Sequence, residues 1–252
     1  MIGEVVSVGT ELLLGHVVDT NAAVVARRLA AVGLDAHHQA TVGDNLDRIV
    51  GVLRTACARA DVVVVTGGIG PTPDDLTKDA VCVLVGVGMR RDEVHAAHVH
   101  DVVARRRSVV RDSVLRMADL PEGAEPLPND AGLALGAAVR HEGAWLFVLP
   151  GVPSEMEPML DTYVVPRLAA LTGGGVLHSD VVRTAGVGES EVAHRLEQLF
   201  DSVNPSIAYL IAGDEVHVRV SAKAPTADEA RELVAATRAR VEALLADVLV
   251  VS

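Results

Sequence analysis

Hydrophobic positions along the chain fall into two alternating patterns. Short apolar runs at Val5–Val8, Ala36–Val42, Val62–Val65 and Trp145–Leu149 read as strands. Between them, Ala22, Val25, Ala26 and Leu29 recur at helical spacing behind Asp19-Thr20-Asn21, and Asp44-Asn45 precedes a helix over Leu46–Ala58. Further helices are predicted over Leu76–Val85 and over Glu93–Val110, a stretch without glycine or proline whose polar face is solvated. Pro150-Gly151-Val152-Pro153 breaks the chain sharply after Leu149, and Ser154 is placed to cap the next helix. Strands alternating with helices predict an α/β fold of three layers, α/β/α, around a mostly parallel sheet.

The pattern changes past the glycine-rich stretch Thr172-Gly173-Gly174-Gly175, the best linker candidate. A strand at Val181–Ala185, an amphipathic helix over Glu189–Phe200 and strands at Ile207–Ile211 and Val216–Ala222 follow. Ala212-Gly213-Asp214-Glu215 joins the two strands as a hairpin. A helix over Ala227–Leu245 capped by Thr226 and a short strand at Val248–Val251 complete a β-α-β-β-α-β order. Residues 1–171 therefore form one domain and residues 176–252 a second, smaller α+β domain.

Half of the 252 residues are hydrophobic and aromatics make up only 2%, so the core must be built from small and branched aliphatics. A net charge of −12 argues against a nucleic-acid partner, which draws on a basic face, and the densest basic run is only Arg105-Arg106-Arg107. Cys57 and Cys82 lie in separate apolar helical segments without a CxxC spacing and read as small buried hydrophobes. No apolar run approaches bilayer length and no secretion signal opens the chain, so a cytoplasmic protein without membrane partners is expected.

The chemistry concentrates in Thr66-Gly67-Gly68-Ile69-Gly70-Pro71-Thr72-Pro73-Asp74-Asp75-Leu76-Thr77, directly after a buried strand. Three glycines let the backbone approach a ligand and turn N–H groups toward an anion, and Thr72 with the carboxylates opens the next helix, whose N-terminus favours phosphate. Asp74 and Asp75 beside such a cradle would repel phosphate unless a divalent cation lies between, so the pair points to a metal-assisted phosphate site. The competing reading is a helix N-cap. Asp44 follows another strand and so reaches the same carboxyl edge of the sheet, where open α/β folds bind ligands, but it fits an N-cap equally well. Glu11 at the edge of the first strand would need a partner if buried. Lys78, one of two lysines, could neutralise phosphate, though a solvated helix lysine explains it slightly better. Ser154 lacks a nucleophile-elbow context, and the spacing of His95, His98 and His100 does not gather them on one helix face, which makes them surface histidines.

Three motifs in order, Val8-Gly9-Thr10-Glu11-Leu12-Leu13-Leu14-Gly15, the glycine-rich segment and Leu149-Pro150-Gly151-Val152-Pro153-Ser154-Glu155-Met156, resemble the CinA family. Arg183-Thr184-Ala185-Gly186-Val187-Gly188-Glu189-Ser190-Glu191 extends the resemblance over almost the whole chain. It implies a molybdopterin-binding-like (MogA/MoaB-like) domain followed by a KH-type domain. Members commonly add a domain that deamidates nicotinamide mononucleotide, which would begin where Ser252 stands, so no deamidation is expected. In such proteins this domain is associated with metal-dependent hydrolysis of ADP-ribose to AMP and ribose 5-phosphate, with a divalent metal such as cobalt, magnesium or manganese, and potassium besides.

By that resemblance Asp75 and Asp44 are the catalytic candidates, and with Asp74 they are the metal ligands. Thr66, Gly67, Gly68, Gly70, Pro71 and Thr72 would bind substrate, together with Gly151, Pro153, Ser154 and Glu155. Thr10, Glu11, Gly15, Asn21, Lys78 and Asn129 complete the set, with Thr10, Gly15 and Asn21 as shaping or hydrogen-bonding groups. The expected ligand is a small phosphorylated nucleotide, with a pterin as the alternative and a nonenzymatic nucleotide-binding module as the third reading. The expected assembly is a homodimer. The chain departs from the family pattern at Leu133 and Leu135, where threonine and proline are typical, so a hydroxyl is lost at the rim of the site. The second domain lacks a GXXG loop with basic flanks, which leaves it a dimerisation or spacer role.

Overall fold

A computed structural model describes residues 1–105, 109–173 and 175–250. The chain divides into two compact units, Met1–Ala30 with Leu34–Leu168, and Ala31–Gly33 with Ala169–Ser252. The first carries strands β1 (Ile2–Val8), β2 (Asp35–Val42), β3 (Val62–Thr66), β4 (Met89–Arg91), β5 (Asp119–Pro121), β6 (Glu125–Leu127), β7 (Gly136–His141) and β8 (Ala144–Leu149). Its helices are α1 (Thr10–Leu13), α2 (Thr20–Ala31), α3 (Leu46–Arg59), α4 (Thr77–Val85), α5 (Glu93–Arg105), α6 (Asp112–Leu115) and α7 (Pro153–Met159), before α8 (Val165–Leu171).

Six strands form one sheet in the order β2-β1-β3-β8-β7-β6. The pairings β1 with β2, β1 with β3 and β3 with β8 are parallel, and only β7 runs against its neighbours. Every residue of β3 is buried, which requires cover on both faces of the sheet. Val63 and Val65 pack with Ile49, Leu53 and Leu146, and strand alternation turns the equally buried Val62 and Val64 to the opposite face. Helix α3 forms where expected because Ile49, Leu53 and Ala56 fall on one face and the Asn45 side chain accepts the Arg48 N–H at 3.1 Å.

The apolar patterns did not reveal β7. Its local signal is the two-residue turn Glu142-Gly143, where φ is 48° and 95°, the positive pair that tight hairpins require. Helix α5 ends at Arg105; Arg106 and Arg107 of the basic run lie outside the described residues, and Val109 and Val110 are not helical.

The second unit carries β9 (Val176–Ala185), α9 (Glu189–Arg195), α10 (Glu197–Phe200), β10 (Ser206–Ala212), β11 (Glu215–Ala224) and α11 (Ala227–Leu244). Its sheet is antiparallel in the order β10-β11-β9, and Thr226 caps α11 by accepting the Glu229 N–H at 3.2 Å. The single helix expected over Glu189–Phe200 is divided at the buried Leu196. The expected last strand reduces to a bridge between Thr184 and Leu249 with Val250 N–H donating to the Arg183 carbonyl, and Val251 lies outside the described residues. Among the described residues, no helix is long and apolar enough to cross a membrane.

Candidate functional site

The parallel strands end in register: Val8 stands opposite Val42, Ser7 opposite Thr66, and Thr66 opposite Leu149. The loops that follow therefore leave from one edge and are stitched together there. Gly67 N–H donates to the Leu149 carbonyl at 3.0 Å, Gly9 N–H to the Val42 carbonyl at 2.9 Å, and Asn21 Nδ2 to the Gly151 carbonyl at 2.7 Å. Between them lies a cavity of about 660 Å³, within the range that holds a nucleotide-sized ligand.

The glycine loop closes onto this edge because side chains are absent from it. Gly67 has φ 97°, and a Cβ there would stand 2.2 Å from the Val8 carbonyl oxygen, so only glycine fits. Thr77, fully buried, fixes the loop by donating its hydroxyl to the Gly67 carbonyl at 2.8 Å and its N–H to the Gly68 carbonyl at 2.9 Å. Helix α4 begins at Thr77 and its N-cap makes no side-chain hydrogen bond. The N-cap reading of Asp74 and Asp75 is thus overturned, and Thr72 does not open the helix. Instead Asp75 Oδ2 accepts the Thr72 N–H at 2.8 Å, and the Thr72 hydroxyl bridges Asp74 and Asp75 Oδ2, the latter at 2.6 Å. The Thr72 hydroxyl and Asp74's own N–H hold the Asp74 carboxyl below its usual range. The turn that carries both acids is closed by the acids themselves.

Asp44 is likewise freed from capping, because Asn45 caps α3. Its Oδ2 accepts the Thr10 N–H at 2.8 Å, and its own N–H donates to the Thr10 hydroxyl at 3.1 Å. Glu155 Oε2 is held by Asn129 Nδ2 at 2.7 Å, and the same amide reaches the Ala134 carbonyl at 3.1 Å.

The cavity brings together most of the residues expected from sequence. Asp44, Asp74 and Asp75 line it along with Glu11 and Glu155. So do Gly67, Gly68, Gly70, Pro71 and Thr72, and from the far turn Gly151 and Pro153. Thr10, Asn21 and Asn129 stand behind the lining and position Asp44, Gly151 and Glu155 respectively. Gly15, Thr66 and Ser154 are outside the lining. Gly15 ends α1, its N–H on the Leu12 carbonyl; Thr66 is buried at the end of β3; and Ser154 is exposed one residue inside α7, whose N-cap is Val152. Sequence reasoning missed Met117 and Gly132, which also line the cavity. A Cβ on Gly132 would stand 2.1 Å from Glu155 Oε2, so this glycine makes room for that carboxylate.

Three expectations are corrected. Lys78 is not a solvated helix lysine: it is buried, its Nζ donates to the Met117 carbonyl at 3.0 Å, and burial pushes its pKa down to about 8. His95 is not a surface residue, since α5 buries it with Nε2 2.9 Å from the Leu133 carbonyl. Leu135 is not at the rim, where Leu133 lines the cavity; it is core, and its N–H donates to the Met117 carbonyl at 2.9 Å.

Residues 4–170 match the model of the "Probable molybdopterin binding domain" family, and residues 179–249 match that of the "Damage-inducible protein CinA KH domain". A CinA-like protein of Desulfovibrio desulfuricans is 42% identical over 99% of this chain and 58% of its own length. One of Dictyoglomus thermophilum is 38% identical over 92% of this chain and 56% of its own. The chain thus spans less than two thirds of the length of these curated relatives. A crystal structure of the CinA protein from Thermoplasma acidophilum is 34% identical and superposes with a TM-score of 0.59 over 63% of this chain and 93% of that one.

Proposed function

For a chain that belongs to the CinA family, with a molybdopterin-binding-like domain followed by a CinA KH domain, we propose that the cavity at the sheet edge binds a small phosphorylated nucleotide and hydrolyses its phosphoanhydride, with ADP-ribose as the first substrate to test. The observation that carries this reading is that the glycine loop and the carboxylates Asp44 and Asp75 line one cavity of nucleotide size.

The donor set is all carboxylate, the chemistry of a hard divalent cation. Among the described residues no three His, Cys, Asp or Glu side chains gather into a complete metal cage. A hard divalent ion here would draw further ligands from the phosphate oxygens of the substrate. Asp75 and Asp44, with Asp74 beside them, would hold it. Such an ion supplies Lewis acidity at the phosphoryl oxygens. The chain's own residues do the rest: the Gly67–Gly70 loop offers close backbone approach to the phosphates, the Thr10 bridge fixes the Asp44 carboxylate, and Asn129 holds Glu155 at the rim.

Pterin binding without hydrolysis is the second reading. It is favoured by the family model that the first domain matches and by Leu133, an apolar group on the cavity wall. A panel of nucleoside diphosphate derivatives assayed with cobalt, manganese and magnesium separates the two. Turnover of ADP-ribose that is lost in Asp75→Asn, with the fold retained by circular dichroism, supports hydrolysis; no turnover of any compound rejects it. The proposal includes a two-fold homodimer, checked by light scattering at micromolar concentration.

A further inference from the structure

Leu133 stands on the wall of the main cavity, and its carbonyl is held from behind by a histidine that the reaction above leaves unused. His95 lies in the first turn of α5 and is 7% exposed. Its Nε2 is 2.9 Å from the Leu133 carbonyl oxygen, which can only accept, so this nitrogen carries the hydrogen. Burial holds the ring below its usual pKa; His98 and Lys78 act in the same direction, and the Leu133 bond and Asp92 act against it. The backbone that carries the ring is fixed. Asp92 Oδ1 accepts the His95 N–H at 2.9 Å, and the Asp92 N–H donates in turn to the Ala118 carbonyl at 2.9 Å. Ala96, Val99 and Val103 of α5 pack with Ala118, and Leu133 packs against that cluster.

The wall segment itself is less constrained. Among the described residues, Asp130–Ala134 is hydrogen-bonded by Asn129, which takes the Ala131 N–H at 3.2 Å and gives Nδ2 to the Ala134 carbonyl at 3.1 Å, and by His95. The Asn129 bonds close the segment on its own stem, whereas the His95 bond ties it to another element. A separate cavity lies behind it, lined by His95, His98, Asn129, Asp130 and Leu135, while Ala131, Gly132, Leu133 and Ala134 line the main one. A segment with space on both sides depends on its tethers. We propose that His95 is a positioning residue of the site: by holding the Leu133 carbonyl it sets the apolar wall on which the planar ring of a bound nucleotide or pterin rests. The phosphates go to the Gly67–Gly70 loop, which leaves this wall to the ring-bearing end, where apolar lining serves best. The inference rests on the ligand of the proposed function and not on its hydrolysis.

The test compares the full chain with His95→Phe, which keeps a ring and loses the donor, and with His95→Gln, which keeps an N–H. Calorimetric titrations with ADP-ribose and with inorganic pyrophosphate, each with magnesium, are run beside hydrogen exchange of the Asp130–Ala134 amides. The positioning role predicts that His95→Phe exchanges faster in that segment and not across the rest of the chain. ADP-ribose affinity should then fall roughly tenfold while pyrophosphate, which has no ring, binds as before, and His95→Gln should stay close to the parent. Unchanged exchange in the segment overturns the inference, as does unchanged ADP-ribose affinity. A loss shared equally by both ligands overturns it too, since a histidine that only supports the fold gives that result. If His95→Phe does not fold, His95→Leu, smaller and also without a donor, is read in the same way. ADP-ribose that binds without turnover, and binds more weakly to His95→Phe, rejects hydrolysis and leaves the positioning role standing. A parent chain that binds no ADP-ribose rejects both.

Discussion

Thr10 and Asp44 hold each other by two reciprocal hydrogen bonds across 34 residues of chain, the Thr10 N–H to Asp44 Oδ2 and the Asp44 N–H to the Thr10 hydroxyl. The carboxylate is therefore fixed from a neighbouring strand end where Asp44 lines the cavity. Thr10→Val removes one of the two bonds, worth about 1 kcal/mol, and on the proposed hydrolysis should lower ADP-ribose turnover roughly tenfold through the looser carboxylate. Thr10→Ser should restore most of it. Asp44→Asn keeps the shape without the charge and should cost more turnover than Thr10→Val. Steady-state rates for the three variants check the order.

Gly67→Ala and Gly132→Ala should separate stability from binding. At Gly67 the added Cβ meets the Val8 carbonyl, rigid backbone, at 2.2 Å and with positive φ, so a loss of about 3 kcal/mol or more is expected in denaturant unfolding. At Gly132 it meets the end of the Glu155 side chain, which can swing away. That variant should fold with a small loss of stability and bind ligand more weakly, because the Asn129–Glu155 bond is broken.

Glu4 is 1% exposed inside β1, and its carboxylate takes both arms of Arg59, at 2.8 and 2.7 Å. Arg59→Ala takes the partner from the buried Glu4 carboxylate and should destabilise the chain. The double replacement Glu4→Leu with Arg59→Leu should recover most of that. Urea midpoints of the single and double variants decide it.

Lys78 also predicts a pH dependence of stability. Burial lowers its pKa from 10.5 to about 8 in the folded chain, so between these values the unfolded chain binds the extra proton and stability rises with pH. Below pH 8 both states are protonated and the full burial penalty applies, on the order of 3 kcal/mol. Lys78 shares the lining of a smaller cavity of about 370 Å³ with Arg116, Asp75, Asp79 and Asp119, so the comparison must be made against Lys78→Met. The stability advantage of that variant should be greatest below pH 8 and shrink toward pH 10.5. A constant difference across this range would contradict the assignment.

Sequence alone determined what depends on neighbours in the chain. The run Val62–Val65 reads as a buried strand and is one, and Asn45 and Thr226 cap the helices that follow them because capping is a contact over three residues. That the glycines of the Gly67–Gly70 loop and the acids after it belong to one candidate site was legible for the same reason, since they lie within ten residues, and they line one cavity. Tertiary structure decided what depends on distant partners. Asn21 meets Gly151 across 130 residues, and Asp44 gives up capping because Thr10 arrives beside it from another strand. Lys78, His95 and Leu135 carry polar, polar and apolar side chains in segments whose local pattern did not set their burial. The Lys78 side chain and the Leu135 N–H meet the Met117 carbonyl, and the His95 ring meets that of Leu133, only once distant segments are packed together. Burial follows from which surfaces the fold covers, a property of long-range packing that no window of the sequence contains.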